Sequence, residues 1–380
     1  MDNPFRELTL DQLRRRTSAK WRAYPPDVLP LWVAEMDVPL APSVVDAVTA
    51  AVETGDTGYP HGTAYAEAVA DFAQSRWGWT VNVEATTVVA DVMRGIVEVL
   101  RLTTSAGDAV VVNSPVYPPF YDFIRYADRR VVEAPLGRDL RIDMTVLEET
   151  FRELAAVGTT AAYLLCSPHN PTGTVHAPEE LLAANALARE YGVQVVVDEV
   201  HGPLVYPEAE HTPFLSLPGT GEAFVLVSGS KAWNLPGIKA ALAVAGEGAA
   251  GLLAQAPELV TNGASHVGII AHIAGLRGGR EWLADVLRGL DENRHLLASL
   301  LAEHIPDIGY RPPQGTYLAW LDCRALGLGD DPSQVFLERG RVALNPGPTF
   351  GTGGAGHVRL NFATSPDILE EAVRRMTSAL

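Results

Sequence analysis

Seven short apolar runs, separated by helical patterns, lie between residues 86 and 245 and limit the possible folds of this chain most strongly. Several runs are continuously apolar rather than alternating, which is typical of strands covered on both faces. This rhythm predicts an α/β domain with a mostly parallel, seven-stranded sheet. The predicted strands are 86–90, 109–113, 130–133, 160–166, 194–198, 223–227 and 240–245, and the predicted helices include 42–53, 94–102, 144–155 and 178–191.

The strand-helix rhythm ends near residue 248. A long helix is predicted at 280–303, and strands are predicted at 315–322 and 357–362, whereas the prolines of residues 1–40 favour extended or irregular chain. We therefore expect a smaller α/β domain built from the two ends of the chain. The predicted division is 1–47 (N-terminal arm and part of the small domain), 48–280 (large cofactor-binding domain) and 281–380 (small domain). The G-x-G-x-x-G match at 351–356 does not follow a strand or open a helix, so it does not indicate a dinucleotide site.

The composition is that of a globular protein, with 47% hydrophobic and 20% charged residues among 380. A formal net charge of −17 makes nucleic acids and anionic membranes poor partners. The two cysteines, Cys166 and Cys323, have no metal-ligand spacing and suggest no disulfide framework. Neither a leader sequence nor a long apolar segment is apparent, so we expect a cytoplasmic protein without a metal.

One lysine stands where a solvated surface charge is not expected. Lys231 ends the sequence Ser228-Gly-Ser-Lys231, directly after the apolar run 223–227. A partly desolvated amine near a second cation, here Lys239, loses basicity and can form an imine with an aldehyde. The hydroxyls of Ser228 and Ser230, with Lys239, could bind a phosphate. An aldehyde and a phosphate in one ligand indicate pyridoxal 5′-phosphate, although an ordinary loop is the alternative for this motif alone.

Polar groups follow other predicted strands, and the carboxyl ends of parallel strands converge on a ligand. Asn170 follows the run 160–166, and Asp198 ends the run 194–198. A carboxylate buried there needs a cationic partner, and a protonated pyridine nitrogen is one. Tyr117 is placed to stack on a flat ring. Backbone N–H groups at a helix start could bind the phosphate; they belong to Met93, Arg94 and Gly95.

Four motifs then occur together: Asn170-Pro-Thr-Gly173, Asp198-Glu-Val-His201, Ser228-Gly-Ser-Lys231 and Val358-Arg-Leu-Asn361. In their order and spacing the chain resembles fold-type I pyridoxal-phosphate enzymes of the class I/II aminotransferase superfamily over nearly its whole length. The resemblance implies that Lys231 carries the cofactor, that Asp198 binds the pyridine nitrogen and that Asn170 donates to the phenolic oxygen.

The resemblance implies further roles. Arg359 would bind the substrate's α-carboxylate, and Tyr117 would also line the substrate site. From its place in the irregular N-terminal arm, Trp32 is predicted to line the same site; Glu35 and Asp37 could do so too, and an apolar arm packed on a neighbouring domain is the alternative. Tyr59 resembles the tyrosine that reaches the phosphate of the other subunit, which implies a homodimer with active sites at the interface. The predicted catalytic residues are Lys231, Asp198, Tyr59 and Tyr117. The predicted cofactor contacts are Met93, Arg94, Gly95, Tyr117, Asn170, Asp198, His201, Ser228, Ser230, Lys231, Lys239 and Tyr59.

Within the superfamily, Arg16-Thr-Ser-Ala-Lys-Trp21 and Leu29-Pro-Leu-Trp-Val-Ala-Glu-Met-Asp37 resemble the cystathionine β-lyase branch of bacterial carbon-sulfur lyases. His201 supports this branch, since many aminotransferases have tyrosine there. Glu35, where the branch more often has aspartate, and the pair Pro60-His61 depart from the pattern. These departures leave the side-chain specificity open.

The sequence thus predicts a lyase that cleaves L-cystathionine, or another L-cysteine S-conjugate, to thiol, pyruvate and ammonia. An aminotransferase acting on an L-amino acid is the alternative, because both reactions begin with removal of the Cα proton. A non-catalytic ligand sensor would need a DNA-binding segment or a basic face, which the sequence does not indicate. Taken singly, His201, Tyr117 and Tyr59 could be structural residues.

Overall fold

The computed structural model describes residues 3–380. The strands are β1 (Leu29–Pro30), β2 (Thr86–Val89), β3 (Ala109–Val112), β4 (Arg130–Glu133), β5 (Ala161–Cys166), β6 (Gln194–Asp198), β7 (Phe224–Val227), β8 (Ala241–Ala245), β9 (Gly309–Tyr310), β10 (Leu318–Asp322), β11 (Val342–Ala343), β12 (Asn345–Pro346) and β13 (His357–Asn361). The helices are α1 (Leu10–Leu13), α2 (Ala19–Arg22), α3 (Pro42–Thr54), α4 (Ala64–Trp77), α5 (Val92–Thr103), α6 (Pro119–Tyr126), α7 (Met144–Ala156), α8 (Pro178–Glu190), α9 (Ala250–Leu253), α10 (Glu258–Thr261), α11 (His266–Gly278), α12 (Arg280–His304), α13 (Pro332–Glu338) and α14 (Pro366–Ser378).

A seven-stranded sheet with the order β2-β8-β7-β6-β5-β3-β4 forms the centre of the molecule. Strands β7, β6, β5, β3 and β4 run parallel, while β8 is antiparallel to both of its neighbours. The prediction of a mostly parallel sheet is confirmed, and each of the seven strands lies within one residue of its predicted bounds. Antiparallel β8 is the detail that the apolar pattern did not reveal.

Both faces of this sheet are covered, as the continuous apolar runs predict. On β7, Val225 and Val227 face one hydrophobic cluster, which α7 and α8 help to form. Phe224 and Leu226 face the other cluster, which includes residues of α5 and α6. A β-strand directs successive side chains to opposite faces, so a strand in the middle layer must be apolar throughout.

The C-terminal part carries a second sheet with the order β12-β13-β10-β9, all antiparallel. Strand β1 from the N-terminal arm pairs with β11, which ties the two ends of the chain together. Helices α12 and α14 pack against each other beside these strands. The glycine-rich segment 351–356 follows a 3₁₀ turn, Gly347–Phe350, and leads into β13, so the context of a dinucleotide motif is absent as predicted.

The helix bounds agree with the predicted ones to within two residues, and α5 begins earlier than predicted because Asp91 caps it. Within residues 3–380, no helix combines the length and the apolar character that a bilayer span requires. The domain division at residues 47 and 280 stays a prediction.

Candidate active site

The carboxyl ends of four adjacent parallel strands bring the predicted site residues to one edge of the large sheet. Tyr117 follows β3, Asn170 follows β5, Asp198 ends β6 and Lys231 lies in the turn after β7. Strands β6 and β7 are paired with Asp198 opposite Leu226, so both end at the same level. Parallel pairing thus gathers residues that are up to 114 positions apart in the printed sequence.

The reversed strand β8 adds a cation to the same edge. Because β8 runs against β7, its first residues lie beside the end of β7, and Lys239 lies two residues before the start of β8. The Lys239 ammonium binds Asp91 Oδ2 at 2.5 Å, and Asp91 Oδ1 accepts from the Arg94 N–H at 2.8 Å. The helix start that the sequence predicts for phosphate binding is therefore capped by the Asp91 carboxylate in this structure. Sequence reasoning missed Asp91, although an aspartate just before an apolar helix is a typical N-cap.

The Lys231 amine has the lowered basicity that its position predicts. Burial, helped by the positive charge of Arg359, lowers its pKa from 10.5 to about 8, against the opposing effects of Asp198 and Glu35. Its Nζ donates to the backbone oxygen of Ala34 at 3.2 Å. A substantial fraction of this amine is therefore neutral near pH 8, which is what a nucleophile or a base requires.

Asp198 is a buried carboxylate with a single hydrogen-bond donor. Burial raises its pKa from 3.8 to about 6, while the Val200 N–H, which donates to Oδ1 at 3.0 Å, and the charge of Lys231 lower it. No lysine, arginine or histidine nitrogen in residues 3–380 comes within ion-pair distance of this carboxylate. A cation supplied by a ligand would therefore relieve its desolvation cost.

His201 lies three residues beyond Asp198 and is 2% exposed. Burial, with the charges of Lys231 and Arg359, lowers its pKa well below 6.5, so the imidazole is neutral. The centroids of the His201 and Tyr317 rings lie 6.1 Å apart in an edge-to-face arrangement. His201 Nδ1 has no hydrogen-bond partner in the described part of the chain. His201 thus carries an unpaired polar atom beside the lysine.

Arg359, from the middle of β13, links the second sheet to the first. It is 3% exposed, and its Nη1 donates to Asn170 Oδ1 at 3.0 Å while Nη2 donates to the Trp32 backbone oxygen at 2.9 Å. Burial lowers its pKa to about 10, so it stays charged at neutral pH. Its Nε has no partner within residues 3–380. A guanidinium held at one edge in this way has a donor left for an incoming carboxylate.

The backbone of residues 32–38, which we call the arm loop, is bound by side chains from distant parts of the chain. The Ala34 oxygen accepts from Lys231 and also from the Tyr317 hydroxyl at 3.0 Å. Asn361 donates to the oxygens of residues 33 and 35 at 2.6 and 2.8 Å. The arm loop is therefore a fixed wall of the site rather than a flexible strap.

Asp37 does not line the site, contrary to one interpretation of the arm. It is 1% exposed and forms a buried ion pair with Lys20 at 2.8 Å, and it accepts from Trp21 Nε1 at 3.2 Å. Arg16 donates to the oxygens of Met36 and Val38. The basic residues near the N-terminus thus hold the arm loop in place.

Hydrogen bonds and close packing hold the backbone of the turn that carries Lys231. Ser228 Oγ donates to the Ala240 oxygen at 2.7 Å and accepts from the Ser230 N–H at 3.1 Å, so its hydrogen is committed to the backbone. Gly229 packs so closely that an added Cβ would lie 3.0 Å from Trp233 and 3.3 Å from His272 Nδ1. His272, a residue that sequence reasoning missed, is buried, and burial lowers its pKa to about 4.

Other predicted residues take less central positions. Trp32 reaches the site through its backbone oxygen, and its indole Nε1 is buried without a partner in the described chain. Burial raises the pKa of the Tyr117 phenol. Tyr59 is 87% exposed, in contrast to the buried Asp198 and Arg359. Asn234, Tyr317 and Asn361 carry no predicted role because their partners are remote in sequence.

Comparison with known proteins places this geometry in a family. The model of the aminotransferase class I and II family matches residues 26–376. The chain belongs to that family. The superfamily resemblance drawn from the four motifs is thereby confirmed.

Relatives in the family agree with the cystathionine β-lyase branch. A Mycobacterium tuberculosis protein, provisionally named a cystathionine β-lyase, is 56% identical over 100% of this chain and 98% of its own. The cystathionine β-lyase of Corynebacterium glutamicum is 33% identical over 98% of this chain and 99% of its own.

Among solved structures, cystalysin from Treponema denticola superposes with a TM-score of 0.91 and 25% identity, covering 100% of this chain and 99% of that one. That structure contains a pyridoxal 5′-phosphate cofactor. The predicted fold class, the α/β fold of fold-type I enzymes, is confirmed.

Proposed function

We propose that this chain is a pyridoxal 5′-phosphate-dependent carbon-sulfur β-lyase that acts on L-cystathionine or a related L-cysteine S-conjugate. One observation carries the proposal: a weakly basic lysine, Lys231, and a buried carboxylate, Asp198, lie at the same edge of the sheet. The carboxylate has no ion-pair partner within residues 3–380. The C. glutamicum and M. tuberculosis relatives support elimination as the outcome.

The side chains present fit the cofactor. Asp198 is a buried anion without a cation partner in residues 3–380, which suits a protonated pyridine nitrogen. Asn170 follows β5, the neighbour of β6, and Tyr117 follows β3, the next strand in the sheet. Both therefore lie at the same sheet edge as Asp198, as a planar, oxygen-bearing ring requires. Lys239 and the start of α5 offer positive charge for a phosphate, which would compete with Asp91 for them.

Each residue of the site has a chemical task. When bound, pyridoxal phosphate supplies an aldehyde for the amino group and a ring that takes up the electron pair left at Cα. Lys231 Nζ, neutral above its pKa of about 8, removes the proton from Cα. Asp198 would hold the protonated pyridine nitrogen, and Arg359 would bind the α-carboxylate. His201 is neutral and therefore adds no positive charge that would repel the other cations of the site.

The net reaction is balanced by one water. The Cβ–S bond breaks, the thiolate leaves and is protonated, and hydrolysis of the remaining three-carbon unit gives pyruvate and ammonia. An aminotransferase instead keeps the Cβ–S bond, transfers the amino group and needs a keto acid to complete its cycle. The two outcomes therefore differ in what must be added to sustain turnover.

We extend the proposal to a cytoplasmic homodimer with two domains divided near residues 47 and 280. Two buried free thiols, Cys166 and Cys323, support a reducing compartment. Tyr59 is exposed on the surface of its own chain, which supports a role across a subunit interface. The amino-acid substrate class follows from the proposed chemistry.

The decisive assay supplies the holoenzyme with L-cystathionine and no keto acid, and follows pyruvate and free thiol. Equal, catalytic release of both is expected. Lys231→Ala is the matched control, because it removes the base while leaving Arg359 and Asp198 in place. Conversion of an added keto acid into its amino acid, without release of thiol, would establish the aminotransferase. Elimination that persists in Lys231→Ala would overturn the assignment of the base.

A further inference from the structure

Glu35 is an acidic residue at the border of the site that the proposed reaction does not use. It follows Ala34, whose backbone oxygen binds both Lys231 and Tyr317. Its negative charge acts on the pKa of both of those groups, which places the carboxylate within electrostatic range of the lysine amine. The side chain is half-buried rather than enclosed in the core.

The position of Glu35 is fixed on both sides. Its N–H donates to the Val33 oxygen at 2.8 Å, and its own oxygen accepts from Lys20 at 2.9 Å and from Asn361 at 2.8 Å. Ser18 Oγ donates to Oε1 at 2.8 Å, which orients the carboxylate. Such a group is preorganised for a ligand.

In the described part of the chain, no ion pair neutralises the charge of Glu35. Asp37, two residues later, forms an ion pair with Lys20, whereas Glu35 has no ion-pair partner among residues 3–380. Its second oxygen, Oε2, accepts no hydrogen bond from that part of the chain. A fixed carboxylate with a free oxygen is suited to bind a cation that arrives with the substrate.

The substrate can supply that cation only from its leaving half. Its α-carboxylate is bound by Arg359, and its α-amino nitrogen is bonded to the cofactor during reaction. We propose that Glu35 binds an ammonium group on the thiol half of the substrate, so that the enzyme prefers L-cysteine S-conjugates whose leaving thiol carries an amine. This inference rests on the proposed function and names its substrate class.

Two substrates that differ by one amino group provide the test. L-Cystathionine carries the distal amine, and S-(3-carboxypropyl)-L-cysteine is the same molecule without it. For the wild-type holoenzyme we expect kcat/KM to favour L-cystathionine by about tenfold, as one charge-assisted hydrogen bond allows. Glu35→Gln should abolish this preference while kcat/KM for the carboxypropyl compound changes by no more than about twofold.

The ratio of the two substrates isolates the contact. Glu35 also raises the pKa of Lys231, but that effect is common to both substrates and cancels in the ratio. Glu153→Gln, an exposed change of the same charge on α7, should leave the ratio at its wild-type value. Ser18→Ala, which removes the orienting hydrogen bond, should reduce the ratio by less than Glu35→Gln does.

A binding measurement separates failure of this inference from failure of the proposed function. In cofactor-loaded Lys231→Ala protein, calorimetry should give a Kd about tenfold lower for L-cystathionine than for the carboxypropyl compound, and Glu35→Gln should remove that difference. If both substrates weaken equally in Glu35→Gln, or if the preference persists, the inference is wrong. If the wild type releases no pyruvate and instead converts an added keto acid into its amino acid, the lyase proposal fails, and the calorimetric difference still decides the role of Glu35.

Discussion

Asn234 and Met36, 198 positions apart, are joined by a two-point hydrogen bond. The Met36 N–H donates to Asn234 Oδ1, and Asn234 Nδ2 donates to the Met36 oxygen, both at 2.8 Å. Asn234 is 9% exposed and has a left-handed φ of 56°, three residues after Lys231. The side chain therefore locks the lysine turn to the arm loop, and the two move as one unit.

Replacement of Asn234 by alanine should destabilise the fold and weaken catalysis. Alanine leaves the buried N–H and C=O groups of Met36 without partners, at about 1–3 kcal/mol each. It also places at positive φ a side chain that cannot hydrogen-bond to the backbone, as the asparagine side chain does. We expect the free energy of unfolding to fall by about 2–6 kcal/mol in urea titrations. Asn234→Gly tolerates the φ and should lose less stability, while kcat/KM falls in both. Wild-type stability in Asn234→Ala would contradict the locking role.

Arg359→Lys should raise KM strongly while it lowers folding stability only a little. Lysine is a point charge and cannot donate to Asn170, to the Trp32 oxygen and to a carboxylate in the planar arrangement that guanidinium allows. We expect KM for L-cystathionine to rise about 100-fold, in line with loss of a bidentate charged contact. Steady-state kinetics gives the KM, and circular dichroism checks the fold. A KM close to that of the wild type would show that the α-carboxylate binds elsewhere.

The pH dependence of folding should report Asp198 in the cofactor-free protein. Its folded pKa of about 6 lies above the ordinary 3.8, so the folded state holds the proton more tightly. Its contribution to the free energy of unfolding should fall as pH rises from about 4 to about 6, by up to about 3 kcal/mol. Asp198→Asn should lack this fall and be more stable than the wild type at pH 7. Urea titrations across that range provide the measurement, and a less stable variant at pH 7 would contradict the expectation.

Lys231 should make the free energy of unfolding rise with pH, at higher pH values than the fall due to Asp198. Its folded pKa of about 8 lies below the ordinary 10.5, so the unfolded chain binds the proton more tightly. The free energy of unfolding should therefore rise between about pH 8 and 10.5, by up to about 3 kcal/mol. Lys231→Met should lack this rise, whereas Lys239→Met should retain it because Lys239 is 56% exposed. Equal slopes in wild type and Lys231→Met would show that the amine is not desolvated.

Mixed dimers should test whether Tyr59 serves the partner's site. A chain with Lys231→Ala and a chain with Tyr59→Ala are each expected to be nearly inactive alone. In the mixed dimer, one site combines an intact Lys231 with an intact Tyr59. After unfolding and refolding of an equal mixture, about one quarter of wild-type activity should return, since half the dimers are mixed and each has one complete site. No recovery would place Tyr59 outside the shared site.

The strands and the main candidate residues could be predicted because their signals are local. A strand buried on both faces must be apolar throughout. The two ends of an apolar run therefore predict where the strand begins and ends, as in β5, β6 and β7. Parallel strands end at a common edge, which brings Asp198 and Lys231 together without further information. The sequence by itself thus determined the large sheet and the lysine-carboxylate pair.

The tertiary structure alone decided the contacts that fix these groups. Tyr317 and Lys231 share the Ala34 oxygen across 283 and 197 positions, and no periodicity encodes such a meeting. The reversed direction of β8, which brings Lys239 to Asp91, is likewise invisible in an apolar run, because a strand buries the same residues in either direction. Hydrophobic patterning reports which face of an element is buried, whereas the path of the chain through space decides which polar groups meet.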